Sequence, residues 1–398
     1  ARPSEEDFAA MTRSAELAVA VGVCLICVAV SLPTDPSIDD VATRGWGPSM
    51  WGFTEWFETK SMGLQKKKKI CEALDWRQAS MKVLKEMPAA GLFEDLKGTS
   101  KWEISGMSIV DKEIYMIYDN LHQIGKVSER FEYLASDNAL IDTDSPDTDE
   151  DSSFESIEYC EDTGTFLMTR EAIAHPEKEG IWHASIVEAK VSGTGPYHTI
   201  RECSLDYDFT SGNKGVEGGA YIAKDGKRYF LGLCEGNFCK GGAEGRDPGN
   251  GRLIVSSFVD ATGTDKCAWK TEKVISLPKT MEFQDYADVS ILGRKIAIVS
   301  QEEAAVWIGD FDPDKLDVKG PGVVYHFPRD PECNTIYCNM EGIAFIDEYR
   351  IAAASDRSKA DQPYNCVPHD QSVMVFQLPS PVVQPDPEPT PKPSSQEM

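Results

Sequence analysis

Between residues 92 and 378 the apolar positions come in short runs rich in β-branched and aromatic residues, broken by Gly and Asp. That pattern predicts strands, and helical periodicity is scarce. Five segments lie over one another: ISGMSIVDKEIYMIYDN (104–120), FESIEYCEDTGTFLMTRE (154–171), VEGGAYIAKDGKRYFLGLCE (216–235), YADVSILGRKIAIVSQE (286–302) and MEGIAFIDEYRIAAASD (340–356). Each has a small or acidic start, an apolar strand, a turn and a second apolar strand. Each ends at a polar or acidic position: Asp119, Glu171, Glu235, Gln301-Glu302 and Asp356. The starts recur about every 50–70 residues.

More amphipathic strands follow the hairpins, such as GIWHASIVEAKV with YHTIRECSL, and GRLIVSSFVDA with WKTEKVISLP. The last segment is followed by a single outer strand, SVMVFQLP. A repeated four-stranded unit that cannot bury its faces alone predicts an all-β fold, a β-propeller of four-stranded blades. Five blades are countable. A sixth would fit between the third and fourth segments or be split between the chain ends. A β-sandwich is the alternative, but it needs no long-period repeat.

The flanks differ. An apolar run from Leu17 to Leu32 follows Arg13, and Ala29-Val30-Ser31 offers small residues for cleavage. Residues 1–32 therefore predict upstream residues plus a secretory signal peptide, with a signal anchor and a buried helix as alternatives. Residues 33–91 form an extension holding three close tryptophans (Trp46, Trp51, Trp56) and the basic run QKKKK (65–69). Within it, Leu74, Ala79, Val83 and Leu84 suggest an amphipathic helix from Ile70 to Glu86. From Pro379 to Met398 seven prolines in twenty residues predict an extended or disordered tail.

The net charge of −26 over 398 residues argues against a nucleic-acid partner. Membrane contact is expected only through the N-terminal segment. Downstream of Cys71 stand eight of the eleven cysteines, an even number that suggests disulfides and a secreted or cell-surface protein. Cys234–Cys239 and Cys333–Cys338 could each close a small loop.

In a propeller the innermost strand of every blade lines the channel. Glu217 and Glu341 would then converge near the axis, with Ser105 and Glu155 at equivalent places and Asp285 or Asp288 from the fourth segment. The returning hairpin would bring Glu235 beside Glu217. Carboxylates crowded in a channel repel one another, and Ca²⁺, which takes six to eight oxygens at flexible geometry, relieves that. The plainer reading of Glu-Gly is a turn with an exposed acid. A small anionic substrate or a surface ligand would reach the site through the cation.

The motifs SGM…IYMIYDN, VEGGAYI…LGLCEGN and MEGIAFI…AASD resemble the β-propellers called SdiA-regulated proteins and the related esterase-like-activity-of-phytase domains. They are also similar to the five-bladed calcium-dependent apyrases. The resemblance covers about 92–378 and implies that Glu217 and Glu341 are metal ligands, with Ser105 and Glu155 in equivalent slots. Tyr286-Ala287 departs from it where an acidic start is expected.

No H-E-x-x-H or G-x-S-x-G motif occurs. His122 is a candidate general base at the channel mouth, against a plain loop role. Arg246 and Arg252, in the Gly-rich 240–252, could meet an anion, and the acidic run 142–155 reads as a solvated loop. Two functions fit. One is an extracellular metal-dependent hydrolase of phosphoesters or esters. The other is a non-catalytic surface propeller that binds a protein or glycan, with structural Ca²⁺ or none. The discriminator is a titratable group beside the ion.

Overall fold

Each of the five aligned segments folds as an antiparallel hairpin, because its apolar strands have partners on both faces. The computed structural model describes residues 80–96, 98–144, 151–260, 267–357 and 362–379. The expected signal segment, the tryptophan and lysine stretches, the middle of the acidic run and the tail from 380 lie outside those residues.

The first strand, β1, is Lys82–Pro88. A four-stranded meander follows: β2 (Ile104–Val110), β3 (Glu113–Tyr118), β4 (Leu121–Ser128) and β5 (Ala139–Ile141). The second meander is β6 (Phe154–Cys160), β7 (Thr165–Ala174), β8 (Trp182–Lys190) and β9 (His198–Asp206). The third is β10 (Val216–Lys224), β11 (Lys227–Cys234), β12 (Arg252–Val259) and β13 (Ala268–Ser276). The fourth is β14 (Val289–Leu292), β15 (Lys295–Ser300), β16 (Ala305–Asp312) and β17 (Asp317–His326). The last comprises β18 (Met340–Phe345), β19 (Arg350–Ser355) and β20 (Ser372–Gln377), and β1 completes it by pairing antiparallel with β20.

The inner strands make a closed ring: β2 lies against β6, β6 against β10, β10 against β14, β14 against β18, and β18 against β2. Between successive meanders lies an apolar layer. Tyr115, Ile117 and Met168 fill the first; Ile186, Phe230 and Trp269 the second; Leu231, Ile298 and Trp307 the third. Val306, Ile351 and Phe376 fill the fourth, and Ile104, Met116 and Val375 the last. Meanders packed face to face around a ring of inner strands are a β-propeller.

The segment expected to be helical over 70–86 is, in its described part, the strand β1. Its register runs from Lys82↔Gln377 to Pro88↔Ser372. The open edge of β20 offers a ladder of hydrogen bonds, and a short amphipathic helix with little to pack on cannot compete with that.

The second and third meanders form one eight-stranded sheet. Their outer strands β9 and β13 pair in parallel, Ser204 opposite Ala268 and Asp206 opposite Lys270. Disulfide Cys203–Cys267 fastens the same pair. Between these meanders the buried Glu188 carboxylate accepts from Arg228 at 2.9 Å and pairs with Arg201 at 3.1 Å. The Arg228 guanidinium lies 5.0 Å over the Phe258 ring.

Cys234–Cys239 forms as expected. The Cys333–Cys338 loop does not: Cys338 is bonded to Cys366. Cys333 belongs to a turn of its own, where its N–H donates to the Asp330 carbonyl at 2.8 Å and the Asp330 side chain accepts from the Asn334 N–H at 2.6 Å. A short helix, Tyr364–His369, delivers Cys366 to the loop instead. Among the described residues Cys160 is a free thiol; burial pushes it up to about 12.

Candidate metal centre

Four of the five inner hairpins carry the same irregularity. The register slips between Ile104 and Gly106, Phe154 and Ser156, Val216 and Gly218, and Met340 and Gly342. The skipped residues are Ser105, Glu155, Glu217 and Glu341. A β-bulge leaves one residue out of the ladder and re-aims its side chain. In the fourth hairpin Ala287 N–H bonds to Val299, Val299 N–H bonds to Asp288, and Val289 pairs with Ile298. Asp288, and not Asp285, therefore holds the equivalent slot.

The glycine after the bulge serves the ring. A Cβ on Gly218 would lie 2.8 Å from the Cα of Asp288, and one on Gly106 would lie 2.8 Å from the Cα of Ser156. Glu-Gly here is neither a turn nor an exposed loop. The acid turns to the axis and the glycine admits the neighbouring inner strand.

The hairpins also return their ends to their starts. The N–H groups of Asp119, Glu171, Glu235 and Asp356 donate to the carbonyls of Glu103, Ser153, Gly215 and Asn339, at 2.8, 3.1, 3.2 and 2.9 Å. Each end residue is thus bonded to the residue two positions before the bulge of its own hairpin.

Three carboxylates meet there. Oxygens of Glu155, Glu171 and Glu217 all lie within 4.8 Å of one another. Burial raises all three above the usual carboxylate range, and repulsion from neighbouring carboxylates adds to it. Glu171 is pushed up to about 7 by burial and by Glu235, against the Gly215 N–H that its side chain accepts and the pull of Lys214. Glu217 feels Glu171, Glu155, Glu235 and Glu341. Crowded hard oxygen donors whose nearby cation, Lys214, is drawn to Glu235 suit a hard divalent cation, with waters completing its shell.

The other expected ligands are placed differently. Glu235 forms an ion pair with Lys214. Burial works against the Lys214 charge, but Glu235, Glu217 and Glu171 together hold it above its ordinary range. Glu341 is partly buried and close enough to raise Glu217. The Ser105 hydroxyl donates to the Phe154 carbonyl of the next inner strand. Asp288 accepts from the Val289 N–H at 2.8 Å and the Ile343 N–H at 2.9 Å. These last two ring positions stitch strands together and stand outside the triad.

Beside the triad opens a cavity of about 580 Å³, bordered by Lys214, Glu235, Lys240, Arg246, Asp285, Glu302, Asn339 and Gln362. Asp285 is pushed up to about 7 by burial, although the Ser300 hydroxyl and the Glu302 N–H donate to it. Arg246 reaches Glu302 at 3.4 Å. Arg252 turns to its own loop, donating to the Asn250 and Gly251 carbonyls at 2.7 and 2.8 Å. The ring of His122 packs edge-on to Phe154 at 6.3 Å, and its carbonyl accepts from the Tyr197 hydroxyl at 2.7 Å.

Sequence reasoning named Glu171 as a strand end and did not place it in the cluster. The hairpin return that pointed to Glu235 applies equally to Glu171, so the signal was present. Lys214, three residues before Glu217, was passed over.

No family model matches the chain, and no curated protein does. Solved structures to which it is similar include the PQQ-bound aldose sugar dehydrogenase of Streptomyces coelicolor, at 10% identity over 75% of this chain and 98% of that one, TM-score 0.40. Glutaminyl cyclase of Myxococcus xanthus is similar at 12% identity over 75% and 97%, TM-score 0.39. The luciferin-regenerating enzyme is similar at 11% identity over 74% and 94%, TM-score 0.39. At such values none of them assigns this chain a ligand or a reaction.

Proposed function

We propose that this chain is a five-bladed β-propeller of an oxidising, extracellular compartment, and that its axial mouth holds a Ca²⁺-class cation between Glu155, Glu171 and Glu217. The observation that carries the reading is the convergence within 4.8 Å of three carboxylates, Glu155 buried and Glu171 and Glu217 half-buried. The disulfides fit such a compartment. Among the described residues no helix is long and apolar enough to cross a membrane.

The function that fits best is binding of an anionic group at this mouth, with hydrolysis of a phosphoester or ester as the reaction. A bound divalent cation supplies charge that polarises such an oxygen. Lys214, Lys240 and Arg246 border the cavity from which an anion would approach. Asp285, which rests near 7, is suited to take a proton from water at neutral pH. One observation favours a purely structural ion instead: the slots of Ser105 and Asp288 are occupied by inter-strand hydrogen bonds.

The test is thermal unfolding of the full chain in EDTA and in millimolar Ca²⁺, beside Glu155→Gln/Glu217→Gln. Binding to the folded state alone must raise the melting temperature. Wild-type stabilisation that the double variant loses supports the ion. Equal melting temperatures for wild type in both media overturn it. A Ca²⁺-dependent phosphoester screen then separates the hydrolase from the structural reading.

A further inference from the structure

The channel has a second mouth of opposite chemistry. The turns of the inner hairpins surround it, and a cavity of about 470 Å³ opens there, with Glu161, Ala223 and Gly293 exposed at its rim. Apolar and aromatic side chains, Met107, Ile109, Tyr159, Tyr221, Leu292 and Phe345, share its wall with a comparable polar surface. Binding sites for small organic molecules have this volume and this kind of wall, with a few polar groups that orient the ligand.

The polar group is Glu158, on the inner strand β6. Glu158 is half-buried, and among the described residues no ion pair or hydrogen bond to its side chain occurs. Lys, Arg and His are missing from the described lining altogether. Burial, and Asp288 nearby, raise the Glu158 carboxyl well above its usual range, as expected for an acid without a counter-ion. A half-buried carboxylate without a counter-ion is poorly solvated, and a ligand that pairs with it gains what the protein forgoes. Glu161 at the rim adds a second negative charge and no positive one.

We infer that this mouth binds a small hydrophobic amine, its apolar body against the Met107, Leu292 and Phe345 wall and its ammonium on Glu158. Charge complementarity selects the amine: an anionic amphiphile of the same body would face two carboxylates and no cation. The site is independent of the cation proposed at the other mouth.

The experiment is calorimetric titration of the full chain, in Ca²⁺ buffer, with 2-phenylethylamine, hexylamine and their neutral counterparts 2-phenylethanol and hexanol. The amines should bind at least about tenfold more tightly than the alcohols, the size of one charge-assisted hydrogen bond. Glu158→Gln should abolish that preference while leaving the unfolding transition and its response to Ca²⁺ unchanged. A Glu155→Gln/Glu217→Gln protein should keep the preference, which separates this site from the acidic mouth. If neither amine binds wild type at millimolar concentration, or if the preference survives Glu158→Gln, the inference fails.

Discussion

The two mouths of the channel are made by the same five inner strands and have opposite chemistry. At one, the bulges turn Glu155 and Glu217 inward and the returning strand of the second hairpin adds Glu171. At the other, the same strands run on as a regular ladder and present Met107, Ile109, Ile222, Leu292 and Phe345. The difference lies in the register. Skipping one residue turns a side chain that would pack between meanders toward the axis, and the strand then resumes its alternation. One inserted residue per hairpin is enough to make a polar end and an apolar end of a single channel.

That contrast can be broken most forcefully where both ends depend on the ring. Gly218→Val puts carbon against the Asp288 backbone and should cost about 2–4 kcal/mol of stability. Urea denaturation would show it, and both the Ca²⁺ response and amine binding should weaken together. Asp288→Ala strips the acceptor from the buried Val289 and Ile343 N–H groups, for about 1–3 kcal/mol. Asp288→Asn should recover part of that in the same denaturation.

Both mouths hold carboxyls raised above their usual range, and Glu171 at the acidic one defines a pH window. Glu171 is held near 7 against an ordinary value of 4.5, so between those values the folded state carries more protons than the unfolded one. In EDTA the Glu171 contribution should lower the melting temperature as pH rises from 4.5 to 7. Glu155 and Glu217 act with the same sign. Glu171→Gln should flatten the slope, and a slope of the opposite sign in EDTA would contradict the assignment. Ca²⁺ should offset the fall, because it binds the ionised form.

The smallest effect tests the separateness of the two ends. Leu292 is partly buried at the apolar mouth, and Leu292→Ala should cost about 1 kcal/mol. Amine affinity should drop, while the melting-temperature gain from Ca²⁺ stays at its wild-type value.

Much of the fold was legible because the inner hairpins are self-contained. The segment 216–235 shows two apolar strands about the turn Asp225-Gly226, and β10 and β11 pair there from Val216↔Cys234 to Lys224↔Lys227. The outer strands were less legible. Lys82–Pro88 owes its conformation to β20, nearly three hundred residues away, and nothing local announces that. Long-range partners also decide the cysteines, since Cys338 finds Cys366 on a helix that spacing alone does not foretell. At the site the bulge residues were readable from Glu-Gly. Which acids meet was not, because Lys214 draws Glu235 aside and leaves Glu171 to join Glu155 and Glu217.

Glu155 and Glu171 come from the second meander and Glu217 from the third. Those are the two meanders whose rims are tied through β9, β13 and Cys203–Cys267. The pair behaves like the jaws of a spring clip, with the grip at the hub and the rivet at the circumference. A splaying force between these blades is met at the rim, by paired strands and a covalent bond, before it reaches the three oxygens at the hub.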